Sequence, residues 1–252
     1  MKKIIALSLT LCFSLTATAN TTECNGHLLK GVPSNISDQQ LCRDGYAVGY
    51  NYQTKNADWV AYHVTKESVN LKYKRSDKFQ ADSELPEYAQ STLTDYKGSG
   101  YDRGHLAPSA AMDFSQNSMQ QSFLLSNMSP QLPGFNRVGW RILEEHVRDL
   151  ANTYHDLYVV TGPIYNGNEE SIGDGVVIPS AFYKVILDPN YDEAIAFVVP
   201  HRDLSGSELS NFVTTVDDVE QQTGLDFFST IRDSVEDDME KQLWDMWPVD
   251  PQ

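Results

Sequence analysis

Asp102-Arg103-Gly104-His105-Leu106-Ala107-Pro108 sets an imidazole beside a guanidinium and a residue with no side chain. A histidine near its ordinary pKa can take a proton from water at neutral pH. Gly104 lets backbone or substrate come close, and Pro108 fixes the exit of the segment. Arg103 offers a forked, permanently charged donor set suited to phosphate. Alone, the segment supplies a candidate base and no more, because a lone histidine is more often structural.

Downstream, Leu124-Leu125-Ser126-Asn127-Met128-Ser129-Pro130-Gln131 leads through Gly134-Phe135 to Asn136. A helix is predicted over 137–152, where Trp140, Leu143, Val147 and Leu150 recur at spacings of three, four and three and make one apolar stripe. Arg137, Arg141, Glu144 and Arg148 fall within roughly 60° of one another on the helical wheel. This face reads either as a solvated surface laced with ion pairs or as one turned toward an anion. Three arginines against one acid, in so acidic a chain, favour the second. Asn136 reads either as a helix N-cap or as a neutral oxygen ligand for a hard cation such as Mg²⁺. Glu144, two turns on, then holds water of the same ion.

In order, Asp102-Arg103-Gly104-His105, then Ser126-Asn127-Met128-Ser129-Pro130-Gln131, then Asn136 with Trp140, Glu144 and Arg148, resemble the DNA/RNA non-specific endonuclease family. The resemblance covers roughly 59–228 of the chain. It implies an α+β fold with a ββα-metal nuclease core, a central mixed or antiparallel sheet and flanking helices. It also implies a Mg²⁺-dependent hydrolase, with Mn²⁺ as a substitute ion, that cuts DNA and RNA with little sequence specificity and leaves 5′-phosphates. Within it His105 is the general base, Asn136 the metal ligand and Glu144 its acidic partner. Asn127 falls close to the scissile phosphate, and Arg75, in Lys74-Arg75-Ser76-Asp77-Lys78-Phe79, matches an upstream phosphate-binding arginine. Arg103 joins the catalytic set, and Arg141 and Arg148 join Arg75 in holding the substrate. Two other readings stay open: a non-catalytic exported binding protein on the same fold, or an enzyme acting on a different phosphodiester.

Charge is where the chain departs from many members of that family. The formal net charge is −16, which by itself argues against a polyanionic partner. Basic residues are nevertheless gathered, at Lys66, Lys72, Lys74, Arg75 and Lys78 and again along 137–148, whereas 217–250 is strongly acidic. A local basic cleft on an acidic body reconciles the two. Strands are predicted over 59–65, 157–161, 181–187 and 194–199, the last two joined by a turn at Asp188-Pro189-Asn190. Helical pieces are predicted over 207–216 and 217–224.

At the N-terminus, Lys2 and Lys3 precede an apolar run over 4–15 and the small-x-small pattern Ala17-Thr18-Ala19, which reads as a signal peptide over 1–19. The expectation is therefore a periplasmic or secreted protein with a single nuclease domain over 20–252 and a net charge near −18 once Lys2 and Lys3 are lost. Cys12 leaves with that segment, so Cys24 and Cys42 can form one bridge in an oxidising compartment. No C-x-x-C and no H-E-x-x-H suggests zinc. No stretch after residue 20 is apolar enough to span a membrane, and no protein partner can be inferred. His63, His155 and His201 are read as structural, and His146 as a surface residue.

Overall fold

The computed structural model describes residues 24–33 and 36–249. β1 (Gln39–Cys42), β2 (Ala47–Asn51) and β3 (Asn56–Thr65) form a meander, and an excursion carries β4 (Asp102–His105) and β5 (Met128–Gln131). The chain then returns as β6 (Asp156–Ile164), makes the small hairpin β7 (Ser171–Ile172) and β8 (Val176–Val177), and ends the sheet with β9 (Ala181–Asp188), β10 (Glu193–Pro200) and β11 (Val213–Thr214). The main sheet runs β1-β2-β3-β6-β9-β10-β11 and is antiparallel at every pairing. Around it lie α1 (Lys66–Asn70), α2 (Leu93–Tyr96), α3 (Gln116–Gln121), α4 (Arg141–Tyr154), α5 (Val216–Thr223) and α6 (Asp233–Glu240). The fold is α+β, and β4 paired with β5 before α4 gives the expected ββα core.

Strand alternation decides which helix lies on which face. Val60, Tyr62 and Val64 of β3, with Phe182 and Ile186 of β9, join Trp140, Leu143, Val147 and Leu150 in one core. Trp59 and Ala61, with Tyr183, Val185 and Leu187, turn the other way and pack with Val216 and Val219 of α5 and Met239 of α6. The sheet thus has α4 on one side and α5 and α6 on the other. Both faces are apolar, so its inner strands read as continuous hydrophobic runs. Each large side chain buried this way contributes roughly 1.5–3 kcal/mol.

Three elements differ from expectation. The helix predicted to start at 137 begins as a wide π-helical turn, Phe135–Trp140, before α4 proper. The strand predicted to stop at Thr161 continues through Gly162-Pro163; β3 pairs no further along β6 than Thr161, so the missing N–H of Pro163 costs that pairing nothing. The helix predicted over 207–216 is a 3₁₀ segment, Gly206–Phe212, followed by β11. There Val213 and Thr214 pair with Phe197 and Ala196, and edge pairing outweighs helix propensity.

The signal-peptide reading of 1–19 lies outside the described residues. No helix among the described residues is long and apolar enough to cross a membrane. Cys24 and Cys42 are bridged, closing a loop of sequence separation 18 that fastens the N-terminal arm to β1. Replacing both cysteines by serine is expected to lower unfolding free energy by about 3 kcal/mol through loop-closure entropy. Urea denaturation checks this, and an unchanged midpoint would refute it.

Candidate active site

β4 and β5 run antiparallel with Asp102 opposite Gln131 and His105 opposite Met128. The turn and helix that follow fold back over the pair. Trp140, fully buried, donates from Nε1 to the His105 carbonyl oxygen at 3.2 Å and so clamps the helix start to the end of β4. Between them opens a cleft of about 450 Å³. Its walls carry His105, Arg103 and Asp102 from β4, Asn136 and Arg137 from the wide turn, and Arg141, Glu144, Glu145 and Arg148 from α4. Arg75, Phe79 and Ser109 close the remaining side. The structure therefore brings together His105, Arg103, Arg75, Asn136, Arg141, Glu144 and Arg148. Five arginines face three carboxylates here, so the cleft is locally basic on a chain of net charge −16.

Asn127 is the exception. Expected near the scissile phosphate, it does not line the cleft and is fully buried. Its Oδ1 accepts the Ala107 N–H at 2.9 Å, and its Nδ2 donates to the carbonyl oxygens of Ala107 and Ser122, each at 2.9 Å. With its hydrogen-bonding capacity engaged by backbone, it works as a strut holding the exit of β4.

The His105 ring stands edge-to-face to Phe123 at 5.1 Å and tilted to Phe79 at 5.9 Å. Its Nε2 is covered and has no hydrogen-bond partner among the described residues. Burial, then the positive charge of Arg75, push the imidazole down to about 3, so the free protein carries it neutral at physiological pH. Arg75 is itself held by Asp77 and Ser109 and lies over the Phe123 ring, while Arg103 lies over Phe79 at 4.3 Å. Both guanidiniums are positioned by aromatic faces.

Asp102 organises the opposite wall. It accepts from Asn136 Nδ2 at 3.0 Å and from Arg137 at 2.8 and 2.6 Å. Burial works to raise its carboxyl, but these hydrogen bonds outweigh it and hold the group below its ordinary value. Asn136 is thus no N-cap: its amide nitrogen is engaged, and Oδ1 has no partner among the described residues. Arg141 and Arg148 each give one donor to a helix carbonyl, of Arg137 and Glu144 respectively.

One further residue, missed in the sequence, shapes the cleft from beneath. Lys184 of β9 is fully buried, with Nζ 4.7 Å from the centre of the Trp140 ring and without a hydrogen-bond partner among the described residues. Burial raises the Glu144 carboxyl, and the charges of Lys184, Arg148 and Arg75 oppose that rise. Burial lowers Lys184, and Glu144 opposes that in turn. Lysine in an apolar strand offers a weak signal, legible only from its phase: it alternates with Phe182 and Ile186 onto the α4 face. An amide oxygen without a partner among the described residues and a half-buried carboxylate along one wall suit a small, hard, hydrated cation.

The other histidines hold structure. His201 accepts the Leu132 N–H at 2.8 Å and meets the Pro179 carbonyl oxygen at 2.7 Å, and His63 pairs with Asp156 and stacks on Tyr158. His155 closes α4 in the left-handed conformation. His146 is half-buried with Nε2 covered, not the surface residue expected, because α4 is flanked on more than its apolar stripe.

The profile of the family described as DNA/RNA non-specific endonuclease matches residues 25–234. The chain is 38% identical over 209 residues to Nuclease C1 of Cunninghamella echinulata var. echinulata, covering 76% of this chain and 83% of that protein. It is 34% identical over 223 residues to Nuclease 1, mitochondrial, of Schizosaccharomyces pombe, covering 80% and 69%. A solved crystal structure of the EndoG/EndoGI complex is similar at TM-score 0.76 and 34% identity, over 85% of this chain and 95% of that one. These likenesses overturn the expected periplasmic or secreted location, since several of the similar proteins are mitochondrial by name. That expectation rested on 1–19 alone, and the bridge between Cys24 and Cys42 does not name a compartment.

Two outcomes follow from this geometry. A Cβ at Gly104 would fall 2.0 Å from Oε1 and 2.1 Å from Cδ of the fully buried Gln131. Gly104→Ala must therefore push β4 off β5 and carry His105 with it. A displacement near 1 Å costs on the order of a hundredfold in rate, so kcat/KM on DNA is expected to fall by about that much while the chain stays folded by circular dichroism. Lys184→Met removes the positive charge that opposes protonation of Glu144, so at any given pH less of the carboxylate is ionised. The acid limb of the pH–rate profile is expected to move to higher pH, and an unmoved limb refutes the coupling.

Proposed function

The chain belongs to the DNA/RNA non-specific endonuclease family, and we propose that it hydrolyses phosphodiester bonds of both DNA and RNA, with His105 as general base and Asn136 and Glu144 serving a divalent ion. The observation that carries this is the convergence of a neutral, half-buried imidazole, an amide oxygen with no partner among the described residues and five arginines on one cleft. Arg75, Arg141 and Arg148 present guanidiniums to the backbone phosphate, which is common to every nucleotide, so sequence preference is weak. Asp102 fixes Asn136 and Arg137 so that both keep one orientation. Ser109 does the same for Arg75.

The base is set by its surroundings. In the free protein, burial and Arg75 keep His105 neutral, so a lone pair is available. A phosphodiester anion pairing with Arg75 removes much of that repulsion and raises the imidazole toward the range where it can hold a proton. Nε2 is covered, so Nδ1 is the nitrogen assigned the proton transfer. His105 takes a proton from water as the water oxygen bonds to phosphorus; the bond from phosphorus to the 3′-oxygen breaks, that oxygen takes a proton from solvent water, and His105 returns its own proton to solvent, leaving a 5′-phosphate and a 3′-hydroxyl. Arg75 and Arg103 stabilise charge growing on the phosphoryl oxygens. A bound Mg²⁺, or Mn²⁺ in its place, would supply Lewis-acid stabilisation of the leaving oxygen, held by Asn136 with Glu144 orienting its water. A single nuclease domain over 20–252 is part of the same proposal.

Plasmid DNA and a structured RNA incubated with the purified protein in Mg²⁺ and in EDTA test the reading. Both polymers are expected to be cut with Mg²⁺ and spared with EDTA, and His105→Ala is expected to lower turnover by about 10²–10⁴-fold or more with Tm little changed. Absence of cleavage of either polymer, or near-normal turnover by His105→Ala, overturns it.

A further inference from the structure

On the face of the sheet away from the cleft, α5 and α6 bring Asp217, Glu220 and Glu240 together. One carboxylate oxygen from each lies within 4.8 Å of the other two. Glu240 is only 6% exposed, and its Oε1 is covered and has no hydrogen-bond partner among the described residues. Glu236, one helical turn earlier on α6, has an Oε1 in the same condition. Glu220 accepts the Phe227 N–H through Oε1 at 2.7 Å. Asp217 is exposed and opens the group to water.

The electrostatics are one-sided. Burial, followed by Glu220, Glu236, Asp217 and Asp226, pushes the Glu240 carboxyl up to about 9, and every one of those neighbours is negative. Burial likewise raises Glu220 to about 7, against the pull of the Phe227 N–H. A buried carboxylate without a donor or counter-charge is costly. Either a proton or a cation must resolve it. Two ligand oxygens on opposite sides of a Ca²⁺ ion, at about 2.3–2.6 Å each, stand about 4.6–5.2 Å apart, so the observed spread fits one centre. The donors are all oxygen, with no histidine or thiolate to select zinc or copper.

We propose that Asp217, Glu220 and Glu240 form a second, non-catalytic site for a hard divalent cation, Ca²⁺ foremost, which fastens α6 to α5. The exposed side of Asp217 admits the waters that complete the shell, and Ca²⁺ tolerates such irregular geometry better than Mg²⁺ does.

Calorimetric titration with Ca²⁺ and thermal unfolding in millimolar Ca²⁺ against EDTA, on the full chain, test the site. Asn136→Ala, Glu240→Gln and Glu220→Gln are compared with the parent chain. The parent and Asn136→Ala are expected to gain about 5 °C or more in Tm when Ca²⁺ stands a hundredfold above its Kd. Glu240→Gln is expected to lose that gain and one bound Ca²⁺ while keeping its Mg²⁺-supported nuclease activity. If Glu240→Gln does not fold, Glu220→Gln, with a partly exposed side chain, carries the same comparison. A parent chain indifferent to Ca²⁺ overturns the site. So does a Glu240→Gln chain that keeps the Ca²⁺-dependent gain, and so does one that in EDTA already exceeds an unresponsive parent, which would mean a shared proton.

Discussion

The hydrogen bond from the Trp140 indole to the His105 carbonyl oxygen joins the three pieces on which the cleft rests. It ties the last residue of β4 to the wide turn that launches α4, while the same ring lies against Phe135, Phe182 and the Lys184 ammonium. Because Trp140 is fully buried, helix, hairpin and sheet cannot shift past one another without opening a void. His105, Asn136 and Glu144 come from separate stretches of chain yet keep one arrangement because a single aromatic group holds all three supports.

Lys184, fully buried under the cleft, and Glu144, half-buried on its wall, would each be costly to ionise alone. Lys184 and Glu144 lie on facing elements, and each offsets the effect of burial on the other. The pair adds little stability relative to an apolar packing of the same shape. Its value lies in keeping an anionic oxygen available where the cleft floor would otherwise favour the protonated acid.

Periodicity made much of this legible. Trp140, Leu143, Val147 and Leu150 announce an amphipathic helix, and all four are buried. The runs at 181–187 and 194–199 are the inner strands β9 and β10. The motif around His105, with Asn136 and Glu144 in order, pointed to the cleft residues. What escaped has physical reasons. A π-helical turn has no period that a short window can register, so the apolar spacing marks the helix only from 137. Asn127 and Asn136 have the same side chain, and only tertiary contacts decide which amide is consumed by backbone and which keeps a free oxygen. The role of Asp102 leaves no mark in the sequence, since its function as acceptor exists only once Asn136 and Arg137 fold over it. Lys184 looks like one polar residue in an apolar strand until the strand has a helix above it.

The placement of α4 and of the α5–α6 pair on opposite faces of one sheet has a consequence for the encounter with a polyanion. Arginine density on one side and carboxylate density on the other make the molecule an electric dipole whose positive end is the cleft. In the field of a nucleic acid such a dipole feels a torque before it feels contact, turning the acidic back away and the cleft forward. An overall negative charge then acts as a filter on orientation: wrong-way collisions are repelled early, and those that arrive do so with the arginines leading.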